Sequence, residues 1–257
     1  MYLRLNSDEL AIKDIFNSFF ESECSVERVR SAQHEGFDPK AWERFVETGA
    51  PGMCLPESSG GGGAPLTTGA IVADLLGEYI APLPFIEHLV ASRLLSLLNP
   101  EHDLLPSVAS GEKIITLALK PTSGDTAKIV PAGAIADAVI VNTGSDLILI
   151  VGKDSDSYLR NTADLPLGNR SLTEGEIIAT GSAALSAFNR AINEWQALMA
   201  VALTGLGRKA VDIGVSYAKE RYQFGVLIGS FQGLQHGFAS SITGVEGSHF
   251  LSSRAIS

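Results

Sequence analysis

Residues 205–236 read GLGRKAVDIGVSYAKERYQFGVLIGSFQGLQH. The first half continues an apolar stripe, Trp195, Met199, Ala202, Leu206, Ala210, Ile213 and Tyr217, whose three- and four-residue steps predict an amphipathic helix. Leu198, Val201 and Val211 widen that surface, which places the helix inside a bundle. At 1.5 Å per residue, about thirty residues span about 45 Å, the length of a central strut. Arg221, Gln223 and Phe224 gather before Gly225, where the stripe runs out. As a helix terminus, this cluster puts Arg221 against the negative end of the dipole, packs Phe224 and gives Gly225 a left-handed cap. As a binding group, it offers a forked guanidinium for phosphate, an amide beside it and an aromatic wall. The two readings are compatible.

Outward from this stretch, the sequence predicts an α+β chain in three parts. Residues 1–112 form a helical domain: Ser7 caps DELAIKDIFNSFF, with Leu10, Ile12, Ile15, Phe16 and Phe19 at helical spacing. Asp38 and Pro39 open a second helix carrying Trp42 and Phe45. PESSGGGGAPLTT is a loop, and GAIVADLLGEYIAPLPFIEHLVASRLLSLL gives two helices broken at Pro82 and Pro84. Residues 113–181 form a small, shortened, barrel-like β domain, with strands at KIITLAL, ADAVIVN, DLILIVG and GEIIA and a hairpin at NTGSD. Residues 182–257 form a C-terminal helical domain.

Composition excludes several functions. A net charge of -10 without a Lys/Arg run argues against nucleic acid. Cys24 and Cys54 are isolated, so neither a disulfide framework nor a zinc site is indicated, and no metal is expected. The five histidines lack ligand spacing and read as surface or helix-end residues. The glycine run 60–63 lacks the Lys-Ser/Thr pair of a phosphate loop and reads as a flexible connector. GLGRKA sits inside a helical stripe rather than after a strand, so Gly205 and Gly207 read as packing glycines, not a dinucleotide fingerprint. MYLRLNSDEL turns acidic too early for a secretion signal, and no apolar run of about 18 residues occurs, so a cytoplasmic location is expected.

The quoted stretch resembles the acyl-CoA dehydrogenase family, whose signature includes R-x-Q-F-G followed by I-x-x-F-Q; PESSGGGG is similar to its P-E-x-x-G-G loop. The resemblance implies an FAD-dependent subunit that desaturates acyl-CoA thioesters in fatty-acid or sterol side-chain β-oxidation. It implies that Arg221, Gln223, Phe224 and Gln232 reach FAD in a neighbouring subunit, so a homo- or hetero-oligomer with a paralogue is expected. A non-catalytic structural partner of a complete paralogue is the alternative. Lys120-Pro121 stands near the family's T-E-P-x-x-G-S-D segment, and no W-I-T strand follows it. The family's further C-terminal helices lie beyond the quoted pattern, so the helical bundle is expected to be incomplete. Some members carry the catalytic base where this sequence has Trp195; Glu194 is turned about 100° away and reads as a solvated acid, leaving the base unassigned.

Overall fold

The computed structural model describes residues 5–153 and 158–256, with helices at both ends of the chain and short strands between them. The first residues of MYLRLNSDEL lie outside the described residues. Helix α1 (Ser7–Glu23) is capped by Asn6 rather than Ser7. The Asn6 side chain accepts the Asp8 and Glu9 N–H groups, and the Glu9 carboxylate accepts the Asn6 N–H, a reciprocal capping box. Its buried face is Phe16 and Phe20, while Leu10 and Ile15 of the expected stripe are exposed. A short helix unforeseen in the sequence, α2 (Val26–Ala32), precedes α3 (Pro39–Glu47), which Asp38 caps and Pro39 opens as expected.

The glycine run does not act as a flexible connector. The N–H groups of Gly61, Gly62, Gly63 and Ala64 donate to the carbonyls of Pro56, Gly52, Leu55 and Met53 at 2.8–3.1 Å. A Cβ at Gly61 would overlap Leu55, so close backbone approach selects glycine there. Helices α4 (Leu66–Glu78) and α5 (Phe85–Leu98) flank the Pro82–Pro84 break, and α6 (Leu105–Ala109) leads to the strands. His88 of α5 corrects the expectation of surface histidines. It is fully buried, with Nδ1 accepting the Ile115 N–H at 3.3 Å and Nε2 donating to the Val108 carbonyl at 3.1 Å.

The strands are β1 (Ile115–Leu117), β2 (Thr126–Val130), β3 (Ala138–Asn142), β4 (Asp146–Val151), β5 (Gly168–Ser171) and β6 (Glu176–Thr180). One sheet runs β1-β3-β4-β6, with β1 parallel to β3 and the other pairs antiparallel; β2 and β5 form a separate antiparallel ribbon. The β3–β4 hairpin turns through NTGSD as its composition requires. Arg170 on β5 is buried and donates to the carbonyls of Gly133, Ala136 and Gly152, a cation held by backbone dipoles between ribbon and sheet.

Helix α7 (Gly181–Glu220) is 40 residues long rather than thirty, about 60 Å of rise. Its first half is packed through Ala184, Phe188, Ala191, Leu198, Val201 and Ala202, whereas Ile213 and Tyr217 of the expected stripe are exposed. Against α4 it comes to backbone contact. A Cβ on Gly77 would overlap the Ala202 carbonyl, and one on Gly205 would overlap the Asp74 carbonyl. The packing reading of Gly205 therefore holds. Beyond α7 come the short strands β7 (Tyr222–Gln223) and β8 (Val226–Leu227), then α8 (Gln232–Ile256), which lies along α7.

Two predictions follow from this packing. Gly205→Ala forces the two helices apart and is expected to destabilise the chain by about 3 kcal/mol or more, read as a lower denaturation midpoint. Burial pushes the His88 pKa down from 6.5 to about 4. The unfolded chain therefore takes up a proton in that window while the folded chain does not, and stability falls as pH drops from 6.5 toward 4 by up to about 1.4 kcal/mol per unit. Urea melts of the wild type and His88→Gln across that range should differ in slope, the variant being the flatter; parallel slopes would contradict the assignment.

Candidate functional site

The chain leaves α7 at Glu220, so Arg221 is the residue after the last turn, in extended conformation with φ -75° and ψ 125°. Tyr222 and Gln223 pair with Leu227 and Val226. Phe224 and Gly225 form the two-residue turn between them, both at positive φ, +53° and +78°. Gly225 is therefore the second corner of a hairpin and not a helix cap, because a two-residue hairpin needs left-handed conformations at both corners. Glycine adopts this freely, but phenylalanine does so at a cost of about 1 kcal/mol or more. The Phe224 ring recovers little of that cost by burial, being 91% exposed with one edge-on contact to Phe231 at 6.4 Å.

Here the structure gathers the four residues singled out from the sequence. Arg221, Gln223 and Phe224 sit on the hairpin, and Gln232 begins α8. The return strand is fixed by the Ile228 N–H donating to the Arg221 carbonyl at 2.9 Å and by the close approach of Gly229 to the Ala218 carbonyl. All four side chains are exposed. Among the described residues, the Arg221 guanidinium and the amides of Gln223 and Gln232 have no hydrogen-bond or ion-pair partner.

The middle of α7 lines a different feature. A cavity of about 480 Å³ lies between α4, α5, α7 and residues 162–167, walled by Leu76, Ile80, Ile86, Met199, Leu203 and Leu206. The half-buried carboxyl of Glu87 also lines it, and Trp195 Nε1 donates to Glu87 Oε1 at 3.2 Å. Burial raises the Glu87 pKa, and the bonds from its own backbone and from Trp195 offset this in part. Glu87 was missed in the sequence, where its only signal is an acid inside the apolar helical run FIEHL.

Glu194 is not a solvated acid. Arg93 Nε and Nη2 donate to its two oxygens at 3.1 and 3.3 Å, and Arg93 Nη1 donates to the Cys54 carbonyl at 2.9 Å. The carboxylate is thereby neutralised in a forked pair beside Trp195. The cysteines offer no nucleophile, since burial pushes Cys24 to about 12 and Cys54 to about 11. Among the described residues no cluster of His, Cys, Asp and Glu suits a metal ion.

Known proteins agree with this architecture. Residues 6–112 match the model of the acyl-CoA dehydrogenase N-terminal domain and residues 185–257 that of the C-terminal domain. Acyl-CoA dehydrogenase IpdE2 of Mycolicibacterium smegmatis is 30% identical over 242 residues, covering 91% of this chain and 72% of that protein. A variant of the Tcur3481-Tcur3483 steroid ACAD superposes with a TM-score of 0.84 at 25% identity, covering 97% of this chain and 77% of that one. The ChsE4-ChsE5 complex from Mycobacterium tuberculosis gives 0.83 at 21%, over 99% and 78% of the respective chains. With both family domains matched and the helix, strand, helix order in place, the chain belongs to the acyl-CoA dehydrogenase family.

Proposed function

We propose that this chain is a subunit of an FAD-dependent acyl-CoA dehydrogenase acting in fatty-acid or sterol side-chain β-oxidation. In this reading it lends Arg221, Gln223, Phe224 and Gln232 to an FAD seated mainly on a second subunit. The observation that carries the reading is the strained hairpin with the start of α8 beside it, presenting a guanidinium and two amides without partners among the described residues and an exposed ring.

The residues fit the phosphate end of the nucleotide. A guanidinium matches phosphate oxygens bidentately, the amides add donors, and the first N–H groups of α8 add the positive end of a helix dipole. Phe224 suits an apolar neighbour across the interface. The flavin, when bound, supplies the hydride acceptor for oxidation of an acyl Cα–Cβ bond. This chain's own residues bind and orient, while the cavity along α7 excludes water from a hydrocarbon tail.

Two relatives support the heteromeric form: a two-component steroid ACAD at 25% identity and a complex of two named chains. One further observation favours the alternative of a structural partner. Glu194 is held by Arg93 and the next position is Trp195, so neither offers a free carboxylate for α-proton removal. A base on the second subunit accommodates both readings.

Arg221→Ala separates them. With the subunit assembly intact by size-exclusion chromatography, flavin content measured by absorbance should fall about tenfold or more, the scale of a lost charged hydrogen bond. Unchanged flavin in an intact assembly would leave only the structural role.

A further inference from the structure

A second cavity, of about 330 Å³, lies between α5, α7 and the loop 56–59 that leads into the glycine run, within the range of roughly 300–1,000 Å³ usual for small-molecule sites. It shares no lining residue with the cavity of about 480 Å³, and none of its lining residues belongs to a strand. Its polar lining is two arginines, Arg93 and Arg190, one carboxylate, Glu194, and three serines, Ser58, Ser59 and Ser96. Two positive charges thus stand against one negative, in a chain whose net charge is -10. Both oxygens of Glu194 are engaged by Arg93. Arg190 stands one turn before Glu194 on α7, at the spacing where such a pair ordinarily forms, but Glu194 turns to α5 instead. Among the described residues Arg190 has no hydrogen-bond or ion-pair partner. Arg93 uses three of its five N–H groups, two on Glu194 and one on the Cys54 carbonyl, which fixes its fork and leaves two donors over. The buried hydroxyls of Ser59 and Ser96 share one hydrogen bond of 2.8 Å, so one of their two protons has no acceptor among the described residues. The cleft therefore holds an excess of donors and no uncommitted carboxylate.

We propose that this cleft is a binding site for a small phosphate ester, anchored by Arg190 and Arg93. A phosphate monoester offers negative charge and three terminal oxygens, and a guanidinium fork meets two of them at once. The unmatched serine proton adds a further donor, and buried polar groups are as a rule matched. A neutral ligand would leave the excess charge without a partner, and a carboxylate, with two oxygens, would satisfy fewer of these donors. The apolar part of the wall, Leu94, Leu97 and Ala191, suits a short carbon stem, which a bare phosphate ion lacks. A ligand here would join the loop 56–59, α5 and α7, so occupancy ties the N-terminal helices to the central one and stabilises the folded chain. The site is separate from the acyl cavity, and the proposal does not depend on reading the chain as a dehydrogenase subunit.

The test is calorimetry and thermal melting of the full chain with glycerol 3-phosphate, inorganic phosphate and succinate, at fixed ionic strength so that screening is constant. Glycerol 3-phosphate should bind with a Kd of about 1 mM or tighter and, at a hundredfold excess over Kd, raise the melting midpoint by about 5 °C or more. Inorganic phosphate should bind more weakly than the ester, and succinate about tenfold or more weakly. Arg190→Ala should weaken the ester about tenfold or more, while Arg190→Lys, which keeps the charge but not the fork, should fall between the two. Arg190 is exposed, so neither substitution opens the core, and circular dichroism verifies the fold of each variant. Equal binding of inorganic phosphate overturns the choice of an ester. A wild type that binds none of the probes, succinate binding as tightly as the ester, or an Arg190→Ala variant of unchanged affinity overturns the site.

Discussion

The contact between α4 and α7 at Gly77 and Gly205 governs how the rest of the molecule is arranged. With no side chain between them, each helix meets the carbonyl of the other, at Ala202 and at Asp74. Such an approach brings the Asp74 carboxylate into the interior, where only a charge partner makes it tolerable. Arg208 supplies one, donating to Asp74 Oδ2 at 3.0 Å and to Glu246 of α8 at 3.3 Å. His249 Nδ1 stands 3.6 Å from Asp74 Oδ1 and 3.3 Å from Thr204 Oγ1. The Thr204 hydroxyl donates to the Val201 carbonyl, so it accepts from His249, and Nδ1 carries the proton. One buried carboxylate thus ties together three helices.

Fixing α7 at its middle lets it serve two ends. Toward its N-terminus, Phe188 and Ala191 close the core against α5, and Glu194 locks to Arg93 across it. Around its centre, Met199, Leu203 and Leu206 line the cavity together with Leu76 and Ile80 of α4. The last turns pack against α8 at Gly214 and against Gly229 at Ala218, leave Ile213 and Tyr217 in solvent, and lead into the hairpin. At about 1.5 Å per residue, the 15 positions from Leu206, the last cavity residue of α7, to Arg221 separate cavity and hairpin by roughly 22 Å of helix. Recognition of an acyl tail and of a nucleotide phosphate would then fall to different ends of one rigid element.

Legibility in the sequence followed the range of the interactions. Local signals gave the Asp38–Pro39 start of α3, the β3–β4 hairpin and the cluster at the end of α7, because capping, turn chemistry and periodicity act over a few residues. The ribbon β2–β5 joins segments about forty residues apart, and its Arg170 is held by carbonyls from a further strand region, so neither partner alone reads as a strand. Glu194 looked solvated because Arg93 lies 101 positions away. Glu87 and Trp195 are 108 apart. His88 was unreadable for the same reason, its two partners being backbone groups outside its own helix. The hairpin residues were found, yet their geometry was misjudged: Phe224–Gly225 looked like a helix cap because a left-handed glycine serves both ends equally well.

The glycines of the last two helices separate what this chain completes from what it leaves open. Gly207 and Gly214 of α7 are filled by Val245 and Phe238 of α8, so their small size is used within the chain. Gly233, Gly237, Gly244 and Gly247 of α8 have nothing within 4 Å of where a side chain would begin. Each costs a helix about 1 kcal/mol relative to alanine, and intrachain packing offsets none of it. The same end of the molecule carries the strained Phe224 and the unpaired Arg221. Strain and missing side chains are two separate costs, and the hydrated Arg221 guanidinium adds a group free to take a partner. The bare glycines on the outer face of α8 beside the exposed hairpin are what a surface shaped for close backbone approach by another subunit requires. It supports reading the hairpin and α8 as one interface, with the cofactor phosphates at its edge.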